Sequence, residues 1–309
     1  MTTISGPRVS TTEATSDSGS GSGPRAPTAG RRTKGSPSRR VYRVVGVVVL
    51  TVAALIVISP VVWAISTSLR TPATSFTQPP AWVPHHPVWS NYRSVFRQVP
   101  LLRFFINSVV VTGLIVVLQL VTSTMSGYAF ALIRFRAKKT LFTIVLATLM
   151  VPAQTTIIPI FILIRYLHLS DSLLSLVIPV IGGAFGTFLM RQYFLQMPRE
   201  LGEAARVDGA THFQVFSRIY ARMALAPMAT LAVLNFSGFW NEFFRPLIFL
   251  SSTDTFTLPL GLVALQGNLG TGSISVVLAG VVLALLPSIA VFALAQRYFV
   301  EGITVGSFR

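Results

Sequence analysis

The chain has no cysteine among its 309 residues. That excludes a disulfide framework, a cysteine nucleophile and any thiolate-held metal. Acidic residues are almost as scarce, with nine Asp and Glu against 25 Lys and Arg. Charged residues of both signs make up 11% of the chain, where a soluble domain carries about 25%. There is no glycine-rich loop ending in Gly-Lys-Ser/Thr, so the chain is not expected to bind ATP itself. His-Glu-x-x-His and Gly-x-Ser-x-Gly are also missing, which removes the zinc-protease and serine-hydrolase readings. The pair His85-His86 has no third ligand near it, and a surface loop accounts for it better than a metal site. No catalytic residue, metal or cofactor is implied.

What the chain has instead is apolar surface. Hydrophobic residues make up 52%, and the mean hydropathy is +0.66. A net charge of +16 raises the possibility of nucleic acid. The basic residues, however, gather in the N-terminal tail and in short segments between apolar runs, as in an oriented membrane protein. No nucleic-acid partner is expected. Residues 1–40 are rich in Ser, Gly, Thr, Pro and Arg, and cannot bury enough apolar surface to offset their ordering entropy. They read as a disordered basic tail. Arg31, Arg32, Lys34, Arg39, Arg40 and Arg43 precede the first apolar run. They suit a topology signal that keeps the N-terminus cytoplasmic, with contact to anionic lipid as the alternative.

A helix needs about 20 mainly apolar residues to cross the hydrocarbon core. Six stretches qualify: 44–66, 105–133, 141–164, 173–189, 223–250 and 274–295. The fourth carries Gly182, Gly183 and Gly186, which either weaken it or permit close helix packing. Arg134, Arg136, Lys138 and Lys139 lie between the second and third stretches, and five arginines lie between 191 and 222. Residues 251–273 contain neither Lys nor Arg. The positive-inside rule places both termini, the 134–139 loop and the 191–222 segment in the cytoplasm. Arg70, Arg93 and Arg97 in the first external loop run against that trend.

The segment Pro198-Arg-Glu-Leu-Gly-Glu-Ala-Ala-Arg-Val-Asp-Gly209 is a short charged element between long apolar runs. Pro198 suits the first turn of a helix. Glu200 and Glu203 complement its dipole, and Gly209 can end it in the left-handed conformation. Thr211-x-x-Gln214 reads as a capping box starting a second helix. Local chemistry thus predicts a helix, a glycine turn and a helix entering the membrane.

Glu203-Ala204-Ala205, two residues, then Asp208-Gly209-Ala210 resembles the EAA loop of ABC-importer permeases. Further matches extend over residues 41–309. They include Asn91-Tyr92, Asn107-Ser108, Val151-Pro152-Ala153-Gln154 and Phe239-Trp240-Asn241-Glu242-Phe243, then Thr257 to Leu262 and the end from Gln296 to Gly306. The likeness is greatest to the carbohydrate-uptake branch, and within it to the maltose-type second permease subunit.

The resemblance implies an all-α membrane protein with the type I ABC-importer permease fold, six transmembrane helices and cytoplasmic termini. Its domains would be the tail, 1–40, and a permease domain, 41–309, with a coupling helix at about 198–210. It also implies transport of a sugar or oligosaccharide across a bacterial plasma (inner) membrane. Implied partners are a second homologous permease, an ATPase dimer, an extracytoplasmic solute-binding protein and membrane lipid. Glu203, Ala204, Ala205, Asp208 and Gly209 become the residues that meet the ATPase. One departure stands out. Ala221-Arg222 replaces the usual Leu-Pro pair, and Pro227 comes one place late, so the join to the fifth span is expected to differ.

Glu242 is the one acidic residue expected inside a span, and burying its charge there costs about 2.5–3.5 kcal/mol. Arg245, one turn on, is the predicted partner, with a pathway role as the alternative. Asn235, Trp240 and Asn241 join Glu242 as candidate pathway residues, since amides and aromatic faces suit sugars; Trp240 alternatively anchors at the interface. Gln119 and Gln154 read as bonds between helices. A secondary transporter or channel without an ATPase is the other reading. It would call for more intramembrane charge, broken helices and internal repeats, none of which the sequence shows clearly.

Overall fold

The computed structural model describes residues 37–71, 75, 83–84, 86–267 and 272–305, with side chains from Tyr42 to Gln296. His85 and the tail up to Ser36 lie outside the described residues. Residues up to Ile56 form one compact unit and residues from Val57 on another. Every regular element among the described residues is helical.

Among the described residues, three helices are long and apolar enough to cross a membrane by length and composition, or up to six if each bent pair is one span. The three lie within α1 (Pro37–Ser68), α3 (Leu101–Leu132) and α14 (Ile274–Val305). Helix α1 thus starts inside the expected tail. A short helix, α2 (Ser90–Gln98), precedes α3. The third, fourth and fifth apolar stretches, expected as single helices, are each broken. Helices α4 (Lys138–Thr148) and α5 (Ala153–Tyr166) meet at 99°. Pro152 sits at that break as the N-cap of α5, where it has no N–H to continue α4 and biases Val151 away from helix. Helix α6 (Leu174–Val177), extended by a tight turn to Val180, meets α7 (Ala184–Phe194) at 42°.

The break before α7 is satisfied by α3. Gln119 Nε2 donates to the Val180 carbonyl at 2.7 Å, and Thr122 Oγ1 donates to the Ile181 carbonyl at 2.7 Å. Backbone groups freed at membrane depth need such partners. Gln119 therefore bonds between helices, as read, whereas Gln154 is exposed. The glycines explain how closely the two elements approach. A Cβ on Gly186 would lie 2.3 Å from Ser123 Oγ, and one on Gly127 would lie 2.6 Å from Met190 Cβ. Gly183 faces Gln119, while Gly182 opens on empty space.

Beyond α7 come α8 (Glu200–Val207) and α9 (His212–Gln214), a wide π-helical stretch (Val215–Tyr220), and α10 (Ala221–Met223). Then α11 (Leu225–Trp240) leaves at 75° to the preceding run. Pro227 falls in the first turn of α11, where its missing N–H is harmless. The chain then forms α12 (Phe244–Phe249) and α13 (Leu258–Val263).

One end of α3 is fastened to the segment before α13. Asn107 Nδ2 donates to the carbonyls of Asp254 and Phe256, each at 2.9 Å, and Ser108 Oγ accepts the Leu258 N–H at 2.7 Å. Arg103 pairs with Asp254. Asn91 does the same for the end of α1, donating to the carbonyls of Ser68 and Arg70. Arg70 is buried and donates to Ser66 Oγ. Its place against the charge trend thus reflects a structural bond.

Candidate functional site

The charged segment after α7 forms the predicted helix-turn-helix. Arg199 is the N-cap of α8, so Pro198 stands just ahead of the first turn. Glu200 and Glu203 occupy that first turn, where carboxylates offset the positive end of the dipole. Gly209 ends the helix at φ +86°. The Ala210 N–H reaches back to the Ala205 carbonyl at 2.9 Å, and the Gly209 N–H to the Arg206 carbonyl at 3.1 Å. These are the two bonds of a Schellman turn. Ala205 and Ala210 both pack on the same apolar cluster beneath, completing the contact that accompanies such turns.

The capping box follows at once. Thr211 Oγ1 accepts the Gln214 N–H at 3.3 Å, and Gln214 Oε1 accepts the Thr211 N–H at 2.8 Å. Two helix ends are thus closed back to back within about four residues, leaving little freedom in the angle between them.

An aromatic cluster holds this element to the apolar helices. The Tyr128 ring on α3 lies 5.1 Å from Phe216, 5.5 Å from Tyr220 and 5.9 Å from Phe194. Ring pairs at such spacings add about 0.5–1.5 kcal/mol each beyond area burial. Tyr220 also donates to the Pro198 carbonyl at 3.1 Å. Gly202, buried, lies flat against the Tyr220 ring. The adjoining end of α3 is capped by two cations. Lys138 Nζ donates to the carbonyls of Ala131 and Ile133, and Arg191 Nε to that of Phe130. Arg191 also lies 4.0 Å above the Phe142 ring.

The predicted contact residues are placed differently around α8. Glu203, Ala204 and Asp208 are exposed, whereas Ala205 is half-buried. Nothing lies within 4 Å of where a Gly209 Cβ would point. Val207 is 88% exposed and Phe213 67%. Both are apolar side chains bared in a charged element. Sequence reasoning did not single out these two; the signal was apolar residues at the turn of a polar helix.

The fifth stretch departs from expectation. Helix α11 ends at Trp240, and Glu242 lies in the break before α12 rather than inside a helix. The pairing holds: Glu242 accepts both Nε and Nη2 of Arg245. Arg245 is 9% exposed and also donates Nη1 to the Leu176 carbonyl at 2.9 Å. Sequence reasoning missed that third contact, which ties the break to α6. Trp240 is buried, stacked on Phe236 with ring centres 5.4 Å apart, and donates to the Ala284 carbonyl of α14 at 3.2 Å. These contacts pack Trp240 between α11 and α14. Asn241 is exposed and donates to the Ser237 carbonyl. Asn235 is half-buried, and its Nδ2 lacks a hydrogen-bond partner.

Asp171 closes the loop between α5 and α6 onto the chain after α12. Its Oδ1 accepts the N–H groups of Ser251 and Ser252 and the hydroxyl of Thr255. Those donors hold the carboxyl well below the usual carboxylate range.

Comparison with known proteins gives the family. The family described as "Binding-protein-dependent transport system inner membrane component" matches residues 123–305. The chain is 38% identical over 203 residues to the arabinooligosaccharides transport system permease protein AraQ of Halalkalibacterium halodurans, covering 66% of this chain and 72% of that one. It is 33% identical over 264 residues to the lactose transport system permease protein LacG of Rhizobium radiobacter, covering 85% and 96%. A chain from a bacterial ABC transporter involved in the import of the acidic polysaccharide alginate superposes with a TM-score of 0.77. It is 27% identical, over 85% of this chain and 98% of that one. The chain therefore belongs to the family of binding-protein-dependent transport system inner membrane components: it is a multi-pass inner-membrane permease of an ABC importer, and ATP hydrolysis lies in a separate subunit.

Proposed function

We propose that this chain passes a sugar or oligosaccharide across the membrane, driven through α8 by the ATPase subunits. The observation that carries the coupling reading is the rigid helix-turn-helix. A Schellman turn and a capping box close it, and Tyr128 and Tyr220 seat it on α3. A push on α8 then moves the apolar helices as a body. Glu203, Ala204, Ala205, Asp208 and Gly209 form the face or turn that meets the ATPase. The relatives named for arabinooligosaccharides and lactose support the sugar reading.

Each bent pair counts as one span in this reading, giving six, with both termini cytoplasmic. The basic 134–139 loop and 191–222 segment support that orientation. The chain works beside a second homologous permease, two ATPase copies and an extracytoplasmic solute-binding protein, in contact with lipid. Asn235, Asn241 and Glu242 line the pathway. The unpartnered amide of Asn235 supports this, because a sugar hydroxyl or water would satisfy it. Trp240, at the end of α11, belongs to the same group, and its bond to the Ala284 carbonyl fastens this stretch to α14.

The absence of native cysteine gives a clean test. A single Ala204→Cys variant, in complex with the ATPase, is expected to crosslink to it through a short bifunctional reagent. A cysteine at Ser251 should not. Failure of Ala204→Cys to crosslink in an intact complex contradicts the coupling reading.

A further inference from the structure

Between α8 and the end of α3 lies a polar cleft of about 450 Å³. Arg199, Gly202, Glu203 and Arg206 form one wall, as residues at i, i+3, i+4 and i+7 share a helix face. Arg134 and His212 stand on the other side, and Tyr128 and Val215 form part of the floor. Because Gly202 has no side chain, the cleft reaches down to the Tyr220 ring.

Its positive charge is only partly compensated. Lys138 and Arg191 nearby are bound to the carbonyls that end α3. Arg134, Arg199 and Arg206 have no such partner: the ion pairs among the described residues are Arg103–Asp254 and Glu242–Arg245. Glu203 is the one acid in the lining, against three arginines. Such a site attracts an anion, and guanidinium groups favour carboxylate or phosphate.

Size and surroundings decide between occupants. The cleft is far larger than a free phosphate, and its apolar floor suits the methylene stems of side chains. Val207 and Phe213, each next in sequence to a lining residue, are exposed apolar side chains that a protein surface would cover. We propose that the cleft receives one or more acidic side chains from the ATPase subunit, so that the partner carries carboxylates next to an apolar hollow for Val207 and Phe213. This rests on reading α8 as the coupling helix. Glu203 shares the wall with Arg199 and Arg206, and the three arginines of the lining still outnumber it.

The test uses the full complex in detergent. Arg206→Lys with a zero-length carbodiimide reagent is expected to join to an Asp or Glu of the ATPase, located by mass spectrometry. The Arg199→Glu/Arg206→Glu variant should weaken ATPase retention by about tenfold or more at low salt and remove its salt dependence. Unchanged retention in that variant, with no carboxylate crosslink, overturns the proposal. If Gly209→Val still abolishes retention in that case, the coupling reading survives alone. If neither variant loses the ATPase, both fall. An anionic lipid retained by the unmodified complex and lost in the double variant, with ATPase retention unchanged, assigns the cleft to a lipid headgroup and overturns the proposal.

Discussion

Tyr220 donates its hydroxyl proton to the Pro198 carbonyl at 3.1 Å, across the bare face of Gly202. The start of α8 is thus bonded to the element that leads out of its far end. A Cβ at Gly202 would lie 2.9 Å from the Tyr220 hydroxyl oxygen. Gly202→Val is therefore expected to push the ring away, loosen α8 and lower ATPase retention severalfold. Tyr220→Phe removes the bond and keeps the ring, at a cost of about 1 kcal/mol. Co-purification of the ATPase should fall further for Gly202→Val than for Tyr220→Phe.

Gly209 separates strain from crowding. Its φ is +86°, and open space surrounds the position of an added Cβ. Any defect on substitution comes from the backbone alone. Gly209→Val is expected to cost about 1–2 kcal/mol in the turn and to reduce uptake strongly. Gly209→Asn should keep most of the uptake, since Asn tolerates that conformation. Equal uptake by the two variants would sink the view that the turn sets the angle.

Much of this element was legible in the chain. Gly209, Thr211 and Gln214 act through neighbours a few residues away, so spacing alone revealed the turn and the capping box. The EAA wording likewise pointed to the right family. The broken spans were hidden because hydropathy averages over a window. Gln119 and Thr122, about 60 residues from the carbonyls they satisfy, are what make the break before α7 tolerable. The bond of Trp240 to the Ala284 carbonyl, 44 residues away, left no trace in local spacing either. The basic cleft was invisible for the same reason, with Arg134 and Arg206 brought together only by the fold.

The Glu242–Arg245 pair should show strong coupling. Glu242→Gln leaves the Arg245 charge buried with no carboxylate, only the Leu176 carbonyl and the Phe239 ring facing it, a loss of about 3–5 kcal/mol for a broken buried pair. The Glu242→Gln/Arg245→Gln variant should be no worse than the single in thermal unfolding. An additive loss in the double would argue against pairing as the main role of Glu242.

Asp171 predicts an acid-sensitive clasp. Its carboxyl is held below the ordinary value of about 3.9 by the Ser251, Ser252 and Thr255 donors. A depressed group stabilises the fold above its unfolded pKa, and that contribution fades as pH falls below about 3.9. Asp171→Ala should lower the unfolding temperature at pH 7, and the gap to the unmodified chain should narrow steadily in acid. A gap that does not change with pH would remove the charge from the explanation.

The most direct measurement is uptake of a labelled oligosaccharide into proteoliposomes. They would hold this chain, its second permease and the ATPase, with the solute-binding protein supplied outside. Uptake is expected only with ATP inside and with the binding protein present, and Gly209→Val should abolish it while the ATPase subunit alone stays active. Uptake that proceeds without ATP on an ion gradient, or without the ATPase subunit, would contradict the account.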